Sequence, residues 1–144
     1  MRYVRLGLMV GALCACQPAP RVGPPTQGGV AADGHFSSLV QTIFVPRCAT
    51  SACHAGGIPP PNAPLNLEAE NAYGQLVGVP AAQLPGMNLV EPGDPANSYL
   101  VLKLRGTAGD AGGVASLMPL AAAALDEADI EAIEAWIADG AQND

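Results

Sequence analysis

Apolar residues recur with helical spacing in residues 36–44. They stand at relative positions 0, 3, 4, 7 and 8 of this stretch, and they are Phe36, Leu39, Val40, Ile43 and Phe44. This spacing places them on one face of an α-helix. Pro46 follows, and the residue before a proline is pushed out of the helical conformation. The pattern therefore predicts a short amphipathic helix that ends at Pro46.

A second apolar stripe lies near the C-terminus and is formed by Ile130, Ile133, Trp136 and Ile137. Asp126 is suited to the N-cap of this stretch, because a carboxylate there can accept hydrogen bonds from the first turn. Gly140 is typical of the residue that follows a helix end. We therefore predict that the last helix of the domain runs between Asp126 and Gly140.

Two shorter helices are predicted between these stripes. The first spans Glu68 to Val77, where apolar side chains share a face. The second begins at Asp94 and Pro95 and ends at Gly106. This start is favourable because Asp94 can serve as the N-cap and a proline in the first turn has no N–H to satisfy. The connecting segments are rich in glycine and proline, and no strand pattern or internal repeat stands out. The chain is thus predicted to be a small all-α domain with long Gly/Pro-rich loops.

The N-terminal segment has the features of an export signal. Two arginines precede an apolar run in residues 6–13, which is too short to span a bilayer as a helix. Residues 13–16, Leu-Cys-Ala-Cys, resemble a bacterial lipobox with Cys16 as the lipidated residue. We therefore predict a lipoprotein-type signal peptide in residues 1–15 and a periplasmic, lipid-anchored protein. The alternative is an ordinary secreted protein cut nearby.

Residues 16–34 are predicted to be a tether and residues 35–144 the folded domain, because the tether is rich in proline and glycine and has little to bury. The full chain carries a formal net charge of −7; without residues 1–15, four Lys/Arg and 13 Asp/Glu remain, a net charge of −9. This charge excludes the basic surface that nucleic-acid binding requires. It favours basic-surfaced protein partners, or serves only solubility.

Cys48, Cys53 and His54 form the most informative cluster. Two cysteines followed directly by a histidine are the signature of covalent haem c, in which both thiols bond the porphyrin and the imidazole faces the iron. The usual motif has two residues between the cysteines, whereas this one has four, in residues 49–52. These four residues are small enough to loop outward. In an exported chain the other ordinary fate of such a pair is a disulfide.

Met118 is the best candidate for a second iron ligand, because thioethers serve with histidine in cytochromes c. Pro119 restricts the backbone of Met118 to extended conformations, which would hold its side chain in one direction. Met87 is the competitor.

Together these features resemble a class I c-type cytochrome, in the variant with four residues between the cysteines. The resemblance covers residues 36–141, and the stretches that carry it are 43–54, 90–95 with 98–100, 118–120 and 130–141. It implies a single-haem, all-α domain whose first and last helices pack across each other. The chain departs from the family in the widened cysteine gap and in Leu117, since a basic residue often precedes the methionine.

The resemblance also implies the site. Cys48 and Cys53 would form thioethers to one haem c, His54 would be the proximal ligand and Met118 the distal ligand. A proline carbonyl often orients the proximal histidine, and the prolines at positions 59–61 are the candidates. The implied activity is one-electron transfer with redox partner proteins, as a carrier or as a redox subunit, and not enzymatic catalysis.

Three other interpretations of the cysteines compete with haem. A Cys48–Cys53 disulfide would make the chain a haem-free lipoprotein with a binding or structural role. Zinc bound by Cys48, Cys53, His54 and His35 would meet the four-ligand count, but adjacent ligands such as Cys53 and His54 are awkward. Cysteine-based hydrolysis fits poorly, because an exported thiol beside a second thiol tends to oxidise.

Overall fold

The computed structural model describes residues 33–56 and 65–144. In chain order these residues form α1 (Phe36–Leu39), a π-helical continuation (Val40–Cys48), α2 (Ala72–Leu76), a 3-10 turn (Pro95–Asn97), α3 (Tyr99–Arg105) and α4 (Glu127–Ala138). Isolated β-bridges occur in these two ranges, but no β-strand does. The predicted all-α class is confirmed at this level.

The predicted signal peptide, the lipidation site Cys16 and the tether up to residue 32 lie outside the described residues. Among the helices of residues 33–56 and 65–144, none has both the length and the apolar character needed to cross a membrane.

The first helix does not end at Pro46, which corrects the prediction from its sequence. It continues as a π-helix to Cys48, with Pro46 inside it. A π-helix bonds each N–H to the carbonyl five residues earlier, and at its end Ala49 N donates to Phe44 O over 2.7 Å. The wider turn accommodates the proline ring, which clashes with the preceding turn in a regular α-helix. The helix therefore leads directly into Cys48.

The second helix is shorter than the predicted stretch of residues 68–77. It begins at Ala72, because the chain before it is held in a side-chain-bonded turn: Asn66 Oδ1 accepts a hydrogen bond from Glu68 N over 2.9 Å. Such local bonds of asparagine compete with helix formation.

The third predicted helix is divided in two. Asp94 Oδ1 accepts a hydrogen bond from Asn97 N over 3.2 Å, as expected of an N-cap. Ser98 is extended and buried, and its hydroxyl donates to Asp94 O and accepts from Glu91 N, each over 2.9 Å. A 3-10 turn thus precedes α3, which ends before Gly106 as predicted; Gly106 has a left-handed conformation (φ +74°).

The core joins the apolar faces of the first and last helices. Fully buried side chains on these faces include Leu39, Ile43, Ile133 and Ile137. Phe36 packs against Trp136 with 5.1 Å between ring centroids. The predicted contact between the first and last helices is therefore present.

α4 is attached to α3 by Arg105. Its guanidinium donates to Glu134 Oε1 over 2.8 Å and to Glu127 Oε1 over 2.6 Å. Asp126 occupies the N-cap position of α4 but makes no side-chain capping bond, which corrects that prediction. Gly140 has the positive φ (+96°) expected at the helix end.

The glycine-rich loop after α3 wraps around Tyr99. Its backbone amide at Val114 donates to Tyr99 Oη over 3.2 Å, and Tyr99 Oη donates to Gln83 Oε1 over 3.1 Å. A Cβ added at Gly113 would lie only 2.8 Å from the Tyr99 ring. The close approach of the Tyr99 ring to the backbone, and not backbone flexibility alone, therefore explains the glycine at position 113.

Asp144 holds the start of α1. Its carboxylate accepts from Phe36 N over 2.8 Å and pairs with His35 Nδ1 over 2.7 Å, while its backbone oxygen accepts from Ser37 N over 2.9 Å. These bonds satisfy amides that the first turn of a helix leaves without partners.

We expect Gly113→Ala to destabilise the domain by about 1–3 kcal/mol, because overpacking forces neighbouring atoms to move. The new methyl would meet the Tyr99 ring at 2.8 Å and the Ala108 carbonyl oxygen at 3.1 Å. Gly74→Ala is the matched control, since a Cβ there meets nothing within 4 Å. It should stabilise α2 by about 0.5–1 kcal/mol. Urea unfolding followed by circular dichroism measures both, and equal losses in the two variants would contradict the prediction.

The hydrogen bond and charge of Asp144 raise the pKa of His35 above 6.5. The Phe36 amide, followed by His35, lowers the pKa of Asp144 below 3.8. The contribution of protonated His35 to the stability of the folded state is therefore complete below pH 6.5, and it is lost as the pH rises through the raised pKa of His35. The contribution of Asp144 is present above pH 3.8 and is lost as the pH falls through its lowered pKa.

In an NMR titration we expect Asp144→Asn to lower the pKa of His35 toward 6.5. Glu131→Gln, which removes a carboxylate elsewhere, should leave it unchanged. A His35 titration that does not respond to Asp144→Asn would show that the pair does not form in solution.

Candidate functional site

The cysteine motif follows the first helix without a break. Cys48 is the last residue of the π-helical segment, and its half-buried side chain packs against the main core. Burial raises the pKa of the Cys48 thiol to about 11. The position of this sulfur is therefore determined by the same packing that holds the helix on the core.

Two backbone hydrogen bonds close the segment between Cys48 and His54. Cys53 N donates to Thr50 O over 2.9 Å, and His54 N donates to Cys48 O over 3.1 Å. Residues 50–53 are exposed, whereas His54 is half-buried. The longer spacing is thus taken up by a turn that projects outward and returns the chain to Cys48. The two thiols are not bonded to each other in this structure.

His54 is held by a backbone carbonyl. Its Nδ1 lies 3.2 Å from Leu65 O, and its own carbonyl accepts from Leu67 N over 2.8 Å. When Nδ1 carries the proton and donates it to Leu65 O, the lone pair of Nε2 is free to bind a metal. Among the described residues the carbonyl beside Nδ1 is therefore that of Leu65. The prolines at 59–61, the predicted candidates, lie outside the described residues. In the sequence, nothing marks Leu65 as the residue beside His54 Nδ1 except its place directly after Pro64.

Met118 and Met87 belong to different clusters. Met118 is half-buried against the main core, the same core that Cys48 and Leu65 contact. Met87 packs against a second, smaller cluster that contains Tyr99. Met118 and Cys48 thus border the same core, whereas Met87 borders the other cluster. The peptide bond between Met118 and Pro119 is cis.

Arg47 connects the cysteine motif with the chain beyond Met118. Its Nη2 donates to the carbonyl oxygens of Ala123 and Ala124, each over 3.4 Å. Sequence reasoning missed this residue, although it is one of only four Lys/Arg beyond residue 15 and directly precedes Cys48.

Lys103 holds the chain just before Met118, and it too was missed as a site residue. Its side chain is 5 % exposed, and Nζ donates to Val114 O over 3.0 Å and to Ser116 Oγ over 2.6 Å. Burial lowers its pKa. A lysine between Leu102 and Leu104 on a buried helix was the available signal.

The zinc interpretation finds no ligand set in the structure. Within residues 33–56 and 65–144 no three His, Cys, Asp or Glu side chains come together as a metal site. His35 pairs with Asp144 at the start of α1. Cys48, Cys53 and His54 share the backbone turn described above, but their side chains do not form such a group.

Comparison with protein-family models finds no match, and neither a curated protein nor a solved structure is similar to the chain at a significant level. The function is therefore inferred from the residues of the site.

We expect Cys53 to be alkylated well before Cys48 in reduced, haem-free protein. Cys53 is exposed, whereas Cys48 is half-buried and has a pKa of about 11. Only the thiolate reacts, so alkylation of Cys48 should be slow at pH 8 and should accelerate up to about pH 11. Iodoacetamide treatment followed by peptide mass spectrometry measures each site. Equal rates at pH 8 would contradict the predicted burial of Cys48.

Proposed function

We propose that the chain is a one-electron transfer protein that carries one covalent haem c. Cys48 and Cys53 would supply the thioether bonds, and His54 and Met118 the axial ligands of the iron. The observation that carries this proposal is the closed turn in which His54 N bonds to Cys48 O over 3.1 Å. This turn presents two unbonded thiols and an imidazole from a single short segment.

The contact of His54 with Leu65 O supports its role as the proximal ligand. A hydrogen bond from Nδ1 to a backbone carbonyl fixes the ring orientation and the tautomer, and it makes the other ring nitrogen more basic. Nε2 is then the nitrogen available to iron.

Met118 fits the distal role by its chemistry and by its cluster. A thioether is a soft, neutral ligand that raises the reduction potential of haem iron relative to harder ligands. Met118 contacts the core that Cys48 also contacts, and Lys103 O accepts a hydrogen bond from its backbone amide over 3.0 Å. Its backbone is thus tied to α3.

The apolar surroundings also suit a large, flat cofactor. Half-buried apolar side chains that border the main core include Leu65, Leu89 and Leu100, besides Cys48 and Met118. Such side chains gain about 25 cal/mol for each Å² of apolar surface that a bound group covers. A haem would add apolar bulk to a domain whose own core is small.

Bound haem c supplies an Fe(III)/Fe(II) couple, and the chain contributes ligands, orientation and protection from water. No nucleophile or general base is required, so the proposal is a carrier or a redox subunit and not an enzyme.

We further propose that the chain is exported to the bacterial periplasm and anchored to the membrane through lipid on Cys16. With a net charge of −9 beyond residue 15, it would meet basic redox partners faster at low salt.

The test is production of the full chain in a host with a working haem c attachment system. We expect a mass increase of one haem and a reduced-minus-oxidised spectrum of the c type, with both lost in Cys48→Ala/Cys53→Ala. A protein that lacks haem and is two mass units lighter than the dithiol would contradict the proposal and support the disulfide-stapled lipoprotein.

Met118→Ala should remove the methionine-to-iron charge-transfer band of the ferric protein and lower the reduction potential, because a thioether ligand is lost. Met87→Ala is the matched control, since it removes a methionine from the other cluster. Loss of the band in Met87→Ala with retention in Met118→Ala would reverse the ligand assignment.

A further inference from the structure

Lys103 is the only lysine of the chain, and it lies inside the protein. The residues beside it on α3, Leu102 and Leu104, are apolar. Removing an ammonium group from water is costly unless hydrogen bonds or an opposite charge compensate it. In the described part of the chain no carboxylate forms a salt bridge with Lys103. A leucine or methionine would avoid this cost, so the lysine needs another explanation.

All hydrogen bonds of its ammonium go to one segment. Nζ donates to Val114 O over 3.0 Å and to Ser116 Oγ over 2.6 Å. The backbone of the same residue accepts from Met118 N over 3.0 Å. The ammonium of Lys103 therefore holds two positions of the five residues that end at Met118, and its backbone carbonyl, which any residue would supply, holds a third.

The segment has few other means of keeping its position. Val114 and Leu117 are exposed by 47 % and 42 %, and glycines precede them at 112 and 113. Apolar burial therefore contributes little here, and hydrogen bonds to α3 and to Tyr99 take over that role.

We propose that Lys103 is a positioning residue that holds residues 114–118 so that the Met118 thioether is kept at the haem iron. This inference depends on the proposed haem function. Lys103 itself touches neither iron nor haem in this role; it acts through the backbone and through Ser116.

The experiment compares Lys103→Met with Arg105→Met in the full chain. Both variants replace a cation of α3 with methionine, but Arg105 bonds to Glu127 and Glu134 on α4 and not to the Met118 segment. The first measurement is hydrogen exchange of residues 107–118 by mass spectrometry, which needs no haem signal. Charge-assisted hydrogen bonds contribute enough that their loss should raise exchange there about 10-fold or more. We expect this rise in Lys103→Met and not in Arg105→Met.

The second measurement is the ferric charge-transfer band of the haem-loaded proteins. It should be weakened or lost in Lys103→Met and retained in Arg105→Met, with a lower reduction potential only in the former. Ser116→Ala, which keeps the ammonium and removes one acceptor, should raise exchange a few-fold and so tests the idea if Lys103→Met does not fold. If Lys103→Met folds and shows unchanged exchange and an intact charge-transfer band, the inference is overturned and the haem proposal still stands. If Lys103→Met does not fold, the same result in Ser116→Ala overturns it. Wild-type protein without haem would overturn both.

Discussion

The contact between the first and last helices is the constraint on which the rest of the structure depends. The ring centroids of Phe36 and Trp136 lie 5.1 Å apart in this contact, and Ile43 and Ile133 are fully buried in the same core. Because the first helix runs unbroken to Cys48, this packing also determines where the cysteine motif begins. A small domain with few large side chains has little else with which to orient such a segment.

Polar contacts hold the loops that the core cannot reach. Asp144 closes the start of α1, Arg47 reaches the carbonyls of Ala123 and Ala124, and Lys103 holds the chain before Met118. These contacts join segments far apart in sequence. Specific donors and acceptors therefore hold the start of α1 and the chain on both sides of Met118.

Apolar periodicity and local capping rules predicted the parts of the fold that depend on near neighbours. The faces of α1 and α4, the Asp94 cap and the helix end at Gly106 follow from spacing and residue type. The π-helix through Pro46 could not be predicted this way, because apolar spacing does not distinguish bonds to the fifth residue back from bonds to the fourth. The extended Ser98 could not be predicted either, because its hydrogen bonds with Glu91 and Asp94 override the local helical preference. Cys48, Cys53, His54 and Met118 stood out by type, whereas Leu65 and Lys103 act through contacts that sequence spacing does not reveal.

The four-residue gap matters less for the haem proposal than the way its backbone closes. A two-residue gap and a four-residue gap make the same demand on the chain, namely that the histidine returns beside the first cysteine. In this protein that return is made by the His54 N to Cys48 O bond, while residues 50–53 remain exposed. Because exposed turn residues pack against nothing, the turn can lengthen outward without disturbing the core. In the proposed haem protein the stronger demand would fall on Cys53, whose exposed thiol would have to reach the porphyrin, and the residues at positions 49–52 are small.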